Sequence, residues 1–150
     1  MEGSKQGAAA EALIPSFPSK TFPNHYTLVN GLYPGNHGLV DNEFYDPAQK
    51  KLYKTKDRTM VEDSSFYGGV PLWQLAKQQG MKSASFYWVG SEAKILGTFP
   101  DYYRLYDADV KNEERVDQTI RWLELPEAER PHFISLYFSF VDHEAHTSGP

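Results

Sequence analysis

Apolar runs alternate with amphipathic stretches along this chain. Mostly apolar segments at 10–17, 82–87 and 132–140 predict central strands of a sheet. Strands that alternate with helices are typical of a parallel sheet, so the pattern predicts an α/β fold with a doubly wound, mostly parallel sheet. These strands make a thin sheet for helices on both faces, and we therefore expect further strands outside this segment.

Two helices are predicted between the strands. The first covers 71–79 and ends before Gly80, a common stop residue. The second covers 111–125 and carries charged side chains opposite an apolar stripe. The apolar residues that share one face are Leu72, Leu75 and Ala76 in the first helix and Val116, Ile120 and Leu123 in the second.

A lone hydroxyl stands at the start of another predicted helix. Pro23 suits the first turn and Gly31 ends the pattern, so this helix is predicted to begin at or just after Thr21 and to run to about Asn30. The free N–H groups and the positive dipole end of such a helix favour an anion. A phosphoryl group held there would lie next to the Thr21 hydroxyl. Threonine is also a preferred N-cap, and this purely structural alternative stays open.

Polar residues follow the apolar run at 132–140. Ligands of open α/β sheets gather at such strand ends. Asp142 and His146 are four residues apart. In a tight turn they could hold one metal ion through a carboxylate oxygen and an imidazole nitrogen, a mixed set that zinc accepts. A solvated acidic loop explains the same spacing.

The composition narrows the classes of function. Of the 150 residues 40% are hydrophobic, which is enough for the core of one domain. The formal net charge of −5 argues against nucleic-acid binding through a basic face. The chain has no cysteine, which excludes disulfides and thiol chemistry. Neither a signal peptide nor a membrane span is visible in the sequence.

Several short motifs follow the order and nearly the spacing of one known family. They are residues 18–26 (PSKTFPNHY), 31–34 with His37 and Gly38, Asp41 with Asn42, Trp88 with Gly90 and Ser91, and 142–146 with Gly149 and Pro150. Through them the chain resembles the nucleotide pyrophosphatase/phosphodiesterase family of the alkaline phosphatase superfamily. The resemblance implies an alkaline-phosphatase-like fold and hydrolysis of phosphodiester or pyrophosphate bonds, above all in nucleotides.

The resemblance also implies roles for the matched residues. Thr21 would be the nucleophile, forming a phospho-threonine intermediate, and would bind one of two zinc ions that activates its oxygen. Asn42 would donate its amide to a phosphoryl oxygen in the transition state. Without the family, an ordinary turn residue after Asp41 is the simpler interpretation of Asn42. Asp142 and His146 would hold the second zinc ion.

A slot for a nucleobase beside the metal ions is implied as well. Phe22 and Tyr106 would sandwich the base, with Trp88 and Glu92 close by. Stacking on aromatic rings contributes about 1–3 kcal/mol per base and tolerates different bases. Aromatic residues make up 15% of the chain, so each ring taken singly suits a hydrophobic core equally well.

The segment 35–67 is polar and mixed in charge, which is typical of a loop or a short hairpin. We expect it to cover the site. Its basic residues are interpreted as solvated surface, although one of them could contact a nucleotide phosphate; they are Lys50, Lys51, Lys54, Lys56 and Arg58.

The chain also departs from the family pattern. An Asp-Gly motif at the end of a first strand precedes the nucleophile in the family, and this chain begins without such a strand. A later Asp-His pair and a further His of the family would lie beyond residue 150. We therefore expect residues 1–150 to be an internal segment of a single phosphodiesterase catalytic domain, without its first strand and C-terminal half. The absence of cysteine favours a bacterial member, and the resemblance implies a periplasmic, secreted or cell-surface protein.

Two other classes of function remain open. One is another hydrolase of the superfamily: a phosphomonoesterase, a phosphonate hydrolase or a lipid-headgroup hydrolase. Sulfatases are disfavoured, because they need a modifiable Cys or Ser where Thr21 stands. The other class is a non-catalytic scaffold that retains the fold. The expected partner is a small phosphodiester or nucleotide, with no nucleic acid on a basic face and no visible membrane contact.

Overall fold

Three parallel strands form the main sheet. The computed structural model describes residues 7–139 and residue 149. The strands are, in chain order, β1 (Glu43–Asp46), β2 (Lys51–Lys54), β3 (Ser83–Phe86), β4 (Tyr102–Arg104) and β5 (Phe133–Leu136). The helices are α1 (Thr21–Asn30), α2 (Pro34–His37), α3 (Arg58–Val61), α4 (Leu72–Gln78) and α5 (Asn112–Leu123), with short 3-10 turns at Ser64–Phe66 and Ile95–Gly97. β3 lies between β4 and β5 and is parallel to both, which confirms the α/β fold class.

Side chains of the main sheet alternate between two cores. On one face Ala84 and Phe86 of β3 pack with Trp122 of α5. Ile134 and Leu136 of β5 pair with these two β3 residues and lie on the same face. Successive residues of a strand point to opposite faces. Both faces of the sheet therefore contribute to a core, as a doubly wound arrangement requires.

The second core is larger and rich in aromatic rings. Phe133, at the opposite face of β5 from Ile134, packs against it. It brings together α1, α4, β2 and the segments around them; its buried members are Tyr26, Val29, Leu39, Tyr53, Val61, Phe66, Tyr67, Trp73, Val89, Ala93 and Ile95. This core places the start of α1 beside the residues that follow β3.

Two predicted strands are confirmed and one is wrong. β3 lies within 82–87 and β5 within 132–140, although residue 140 itself lies outside the described residues. The segment 10–17 forms no strand and is mostly exposed. A strand needs a neighbour for its backbone hydrogen bonds, and in the described part of the chain no strand pairs with this segment.

The predicted helices are confirmed, but their apolar stripes are not the buried faces. In α5 the residues Val116, Ile120 and Leu123 are exposed, and the helix buries Arg115 and Trp122 instead. Helix α4 similarly leaves two leucines of its predicted stripe exposed and buries Trp73, Gln74 and Ala76. Periodicity identified the helices correctly, whereas the orientation of each helix follows from aromatic packing that local pattern does not reveal.

The predicted loop or hairpin at 35–67 contains a hairpin. Strands β1 and β2 pair antiparallel, with Glu43 opposite Lys54 and Asp46 opposite Lys51. Helix α3 follows directly, with Asp57 as its N-cap accepting from the backbone N–H of Thr59. None of the helices in the described residues is long and apolar enough to cross a membrane.

Candidate active site

Thr21 is the first residue of helix α1. The N-cap is Lys20, whose backbone is extended at φ −106° and ψ 159°. Thr21 is therefore not the N-cap, and the interpretation of this residue as the cap of the helix is wrong. Within the described part of the chain its hydroxyl takes part in no hydrogen bond. The hydroxyl stands at the positive end of the helix, where a developing or bound anion is favoured.

Asn24 fixes how the chain enters α1. Its Nδ2 donates to the carbonyl of Pro18 across 2.7 Å and to that of Lys20 across 3.1 Å. Its Oδ1 accepts from the backbone N–H of Ser16 across 2.8 Å. One amide side chain thus holds the segment before Thr21 against the first turn of the helix.

Asn42 contacts the same helix end from the loop before β1. Its Oδ1 accepts from the backbone N–H of Phe22 across 3.0 Å. Lys20 forms an ion pair with Asp41, Nζ to Oδ1 2.7 Å. Hydrogen bonding to Lys20 lowers the pKa of the Asp41 carboxyl below its ordinary value. These two contacts attach the Asn42 loop to the residues on either side of Thr21.

A cavity of about 200 Å³ opens at this helix end. Its wall includes Thr21 and all of the predicted base-slot residues. The full lining is Thr21, Phe22, Thr55, Arg58, Val61, Tyr87, Trp88, Val89, Gly90, Glu92, Tyr106 and Tyr137. Residues from α1, the hairpin and the carboxyl ends of β3 and β5 therefore meet at one concave surface, the usual position of ligands in open α/β sheets.

Aromatic side chains form much of the wall. Phe22 packs against the large core and meets Tyr53 edge to face, with ring centroids 6.3 Å apart. The indole N–H of Trp88 donates to the carbonyl of His25 across 3.0 Å. Tyr106 stands edge to face with Tyr87, their centroids 5.1 Å apart. Phe22, Trp88 and Tyr106 are thus each held in place by contacts with neighbouring residues.

Glu92 is a buried carboxylate at the back of the cavity. Only 6% of the residue is exposed. One carboxylate oxygen is paired with the guanidinium of Arg58, and the other accepts from the backbone N–H of Tyr106. Burial raises the pKa of Glu92 above its ordinary value even though Arg58 opposes that shift. Glu92 therefore ties helix α3 to the segment that carries Tyr106.

His25 lies one helical turn after Thr21. Its Nδ1 is 2.7 Å from the carbonyl oxygen of Thr21, and because a carbonyl only accepts, Nδ1 carries the proton. Its ring meets the rings of Trp88 and Tyr137 edge to face, at centroid distances of 5.3 and 5.2 Å. The motif around Thr21 contains His25, but the sequence offered no sign of this packing.

Of the three predicted metal ligands, only Thr21 lies in the described part of the chain. Asp142 and His146 lie outside the described residues. Among residues 7–139 and 149 no group of three or more His, Cys, Asp or Glu side chains is placed to hold a metal ion. Thr21 contributes one oxygen at the edge of the cavity, and β5 ends at Leu136, just before the segment with Asp142 and His146.

Sequence reasoning missed several lining residues. Thr55 and Tyr87 carry no motif, and Tyr137 falls within the predicted strand 132–140 with no predicted role. Arg58 is predicted as solvated surface, and its side chain is partly exposed, but its guanidinium is also paired with the buried Glu92. The signal that could have found Tyr87 and Tyr137 is their position, since each directly follows a parallel strand.

Comparison with known proteins agrees with this geometry. The family model described as type I phosphodiesterase/nucleotide pyrophosphatase matches residues 4–150. Human ectonucleotide pyrophosphatase/phosphodiesterase family member 1 is 44% identical over 146 residues, covering 97% of this chain and 16% of that protein. The venom phosphodiesterase of Macrovipera lebetinus is 41% identical over 144 residues, covering 96% of this chain and 17% of that protein.

Solved structures match the fold. Murine ectonucleotide pyrophosphatase/phosphodiesterase 5 superposes with a TM-score of 0.85 at 35% identity, covering 91% of this chain and 36% of that one. An inactive threonine-to-alanine variant of the same murine protein, in complex with AMP, gives a TM-score of 0.85 at 34% identity, with the same coverage of both chains. The chain thus spans about one sixth of the length of the curated relatives it matches. It belongs to the type I phosphodiesterase/nucleotide pyrophosphatase family.

Proposed function

We propose that the protein containing this chain hydrolyses phosphodiester or pyrophosphate bonds in nucleotides through a phospho-threonine intermediate at Thr21. The observation that carries the proposal is the cavity wall, where Thr21 lies together with Phe22, Trp88, Glu92 and Tyr106. The names of the relatives, which are nucleotide pyrophosphatases and phosphodiesterases, support the same class of reaction.

In the first step the Thr21 oxygen attacks phosphorus. A new bond forms between that oxygen and phosphorus as the hydroxyl proton passes to water, the bond to the leaving alcohol or phosphate breaks, and the leaving group takes a proton from water. In the second step water attacks the phospho-threonine, a nucleotide is released and the Thr21 hydroxyl is restored. The inactive threonine-to-alanine variant of the murine relative supports a threonine at the centre of this chemistry.

Asn42 is suited to stabilise charge in both steps. Its Oδ1 accepts from Phe22 N–H, so its Nδ2 remains as a donor near the start of α1. A donor aimed at a phosphoryl oxygen gains strength as negative charge grows there. Phe22 and Tyr106 would hold the base by stacking, and the positive end of α1 would attract the phosphate.

Two zinc ions are the proposed cofactors. When bound, they would lower the pKa of the Thr21 hydroxyl and neutralise charge on the phosphoryl oxygens. Thr21 provides an oxygen at the cavity edge, and Asp142 and His146 provide the carboxylate and imidazole that zinc accepts. Further ligands would come from outside this chain. The ectoenzyme and venom names of the relatives support a cell-surface or secreted location, and a bacterial origin stays a prediction.

The test uses the longest natural polypeptide that carries this chain, with zinc supplied. Hydrolysis of the p-nitrophenyl ester of thymidine 5′-monophosphate is compared with hydrolysis of p-nitrophenyl phosphate. We expect the diester to be preferred and Thr21→Ala to hydrolyse neither. Preference for the monoester would favour another hydrolase of the superfamily, and hydrolysis of neither ester with zinc bound would favour a non-catalytic scaffold.

Metal content tests the ligand assignment separately. His146→Ala should lower the zinc bound per chain, because a site that loses one ligand binds zinc weakly. Zinc content unchanged by His146→Ala would place His146 in a solvated loop.

A further inference from the structure

Arg115 is a buried cation whose charge meets no carboxylate among the described residues. The residue is 2% exposed, and none of the ion pairs among residues 7–139 includes it. Burying an unpaired charge is costly unless hydrogen bonds and polarisable groups compensate for the lost water. A guanidinium kept in such a place therefore needs a structural reason.

The guanidinium connects three segments of the chain. Its Nη1 donates to the carbonyl of Tyr137 across 2.9 Å. Its Nε and Nη2 donate to the carbonyl of Val110, across 3.2 and 3.0 Å. The guanidinium carbon lies 5.0 Å from the ring centroid of Tyr87, a cation–π distance. One side chain thus joins Tyr87 after β3, Tyr137 after β5 and Val110 in the segment before α5.

Both strand-end residues belong to the cavity wall. Tyr87 and Tyr137 line the cavity together with Tyr106. Tyr87 has a positive φ of 65°, a conformation that bulky residues rarely adopt and that needs support from surrounding contacts. The Tyr87 ring in turn meets Tyr106 at 5.1 Å. A route of direct contacts therefore runs from Arg115 through Tyr87 to the predicted base-stacking ring of Tyr106.

We propose that Arg115 is a positioning residue for the nucleobase slot, acting through the Tyr87 ring and the Tyr137 carbonyl. It touches no substrate itself. The guanidinium keeps Tyr87 in its left-handed conformation, so that Tyr106 stands at stacking distance from a bound base. This inference rests on the proposed function and extends it to a residue behind the wall.

The experiment compares two esters that differ in the base. One is the p-nitrophenyl ester of thymidine 5′-monophosphate and the other is methyl p-nitrophenyl phosphate, which has no base. The quantity is the ratio of their kcat/KM values, which a change in the folded fraction does not alter. In Arg115→Met we expect this ratio to fall at least about fivefold, mainly through a higher KM for the thymidine ester, because base stacking is lost in part. A ratio within twofold of wild type would overturn the inference.

Three further variants sharpen the comparison. Arg121→Met lies on an exposed position of the same helix and should leave the ratio unchanged. Arg115→Lys keeps the charge but cannot span two carbonyls, so it should lower the ratio less than Arg115→Met does. If Arg115→Met does not fold, Arg115→Lys replaces it in the comparison. A wild-type ratio in Arg115→Lys would then overturn the inference. Adding Arg115→Met to Tyr106→Leu should lower the ratio no further, since residues on one route are not additive. Additive losses would show that Arg115 does not act through Tyr106.

Direct binding separates this inference from the proposed function. If wild type hydrolyses neither ester, the proposed function fails, and the dissociation constant of AMP with zinc present still tests Arg115. We expect AMP to bind at least about fivefold more weakly to Arg115→Met than to wild type. Equal affinity would overturn the positioning role whether or not the protein is a hydrolase.

Discussion

The backbone N–H of Phe22 donates to Oδ1 of Asn42 across 3.0 Å. This bond settles which end of the Asn42 amide faces the helix, because a backbone N–H can only donate. The NH₂ group is left as a donor on the loop that contacts the first turn of α1. A residue that sequence alone could not distinguish from a turn former thus contacts the residue that follows the proposed nucleophile.

Two substitutions of Asn42 should separate its roles. Asn42→Asp keeps an oxygen for Phe22 N–H and removes the NH₂ donor, whereas Asn42→Ala removes both. We expect each variant to lose about 2.7–4 kcal/mol of transition-state stabilisation, measured as kcat on the thymidine ester. Only Asn42→Ala should also lower the melting temperature. An Asn42→Asp variant with near wild-type kcat would show that the NH₂ group does not contact the phosphoryl oxygens.

Thr21→Ala should abolish turnover without destabilising the fold. The N-cap of α1 is Lys20, and the Thr21 hydroxyl takes part in no hydrogen bond within the described part of the chain. Removing a true N-cap costs about 0.5–2 kcal/mol, so we expect a loss in the free energy of unfolding below about 0.5 kcal/mol. Urea denaturation measures it, with Thr21→Ser as the control that keeps the hydroxyl. A loss above 1 kcal/mol would mean that the hydroxyl stabilises the helix.

The elements that sequence predicted well are those with local signals. Helix α1 has Pro23 in its first turn and Gly31 in the left-handed conformation at its end, at φ 72°, and both residues signal these positions in the sequence. The strand predicted at 10–17 failed because a strand is defined by its partner, and apolar composition says nothing about whether one is adjacent. β4 was missed because Tyr102–Arg104 is short and has no apolar run.

The residues of the candidate site also fall into those that the sequence predicts and those that it does not. Phe22, Trp88 and Glu92 were reached through the family resemblance, whose motifs lie around Thr21 and after the strand predicted at 82–87. The pairing of Arg58 with Glu92 joins residues 34 positions apart, and no local pattern relates them. The sequence also gives no sign that Arg115 is buried, because a basic residue in an amphipathic helix suggests the solvated face. In the structure this side chain is buried against backbone carbonyls.

Stability should fall in mild acid because of His37. Its ring is buried; Nδ1 accepts from Leu39 N–H across 3.1 Å, and Nε2 lies 3.0 Å from Thr27 Oγ1. Burial lowers the pKa of His37 below its ordinary value. The neutral ring therefore contributes stability above about pH 6.5, and this is lost as pH falls from there through the pKa in the folded state, since the unfolded chain takes up the proton first.

Urea denaturation at pH 8 and pH 5.5 measures this effect. The free energy of unfolding of wild type should decrease between the two values. His37→Asn keeps an acceptor for Leu39 N–H and has no titrating ring, so its decrease should be smaller. An equal decrease in both proteins would assign the acid sensitivity to other groups.

Gly90 should tolerate no side chain, because two separate costs meet at this position. Its φ is 88°, and a Cβ there would lie 3.0 Å from Cε2 of Tyr26 and 3.3 Å from Cδ1 of Tyr67, both buried rings of the large core. The left-handed backbone alone costs an alanine about 1–2 kcal/mol, and forcing an atom into a packed core adds about 1–3 kcal/mol.

Gly97 isolates the first cost, since its φ is 81° and no atom lies within 4 Å of its Cβ position. We therefore expect Gly90→Ala to lower the free energy of unfolding by at least about 1 kcal/mol more than Gly97→Ala in urea denaturation. Equal losses would mean that the Tyr26 and Tyr67 rings can move aside, and that the wall they support behind Gly90 is adaptable rather than rigid.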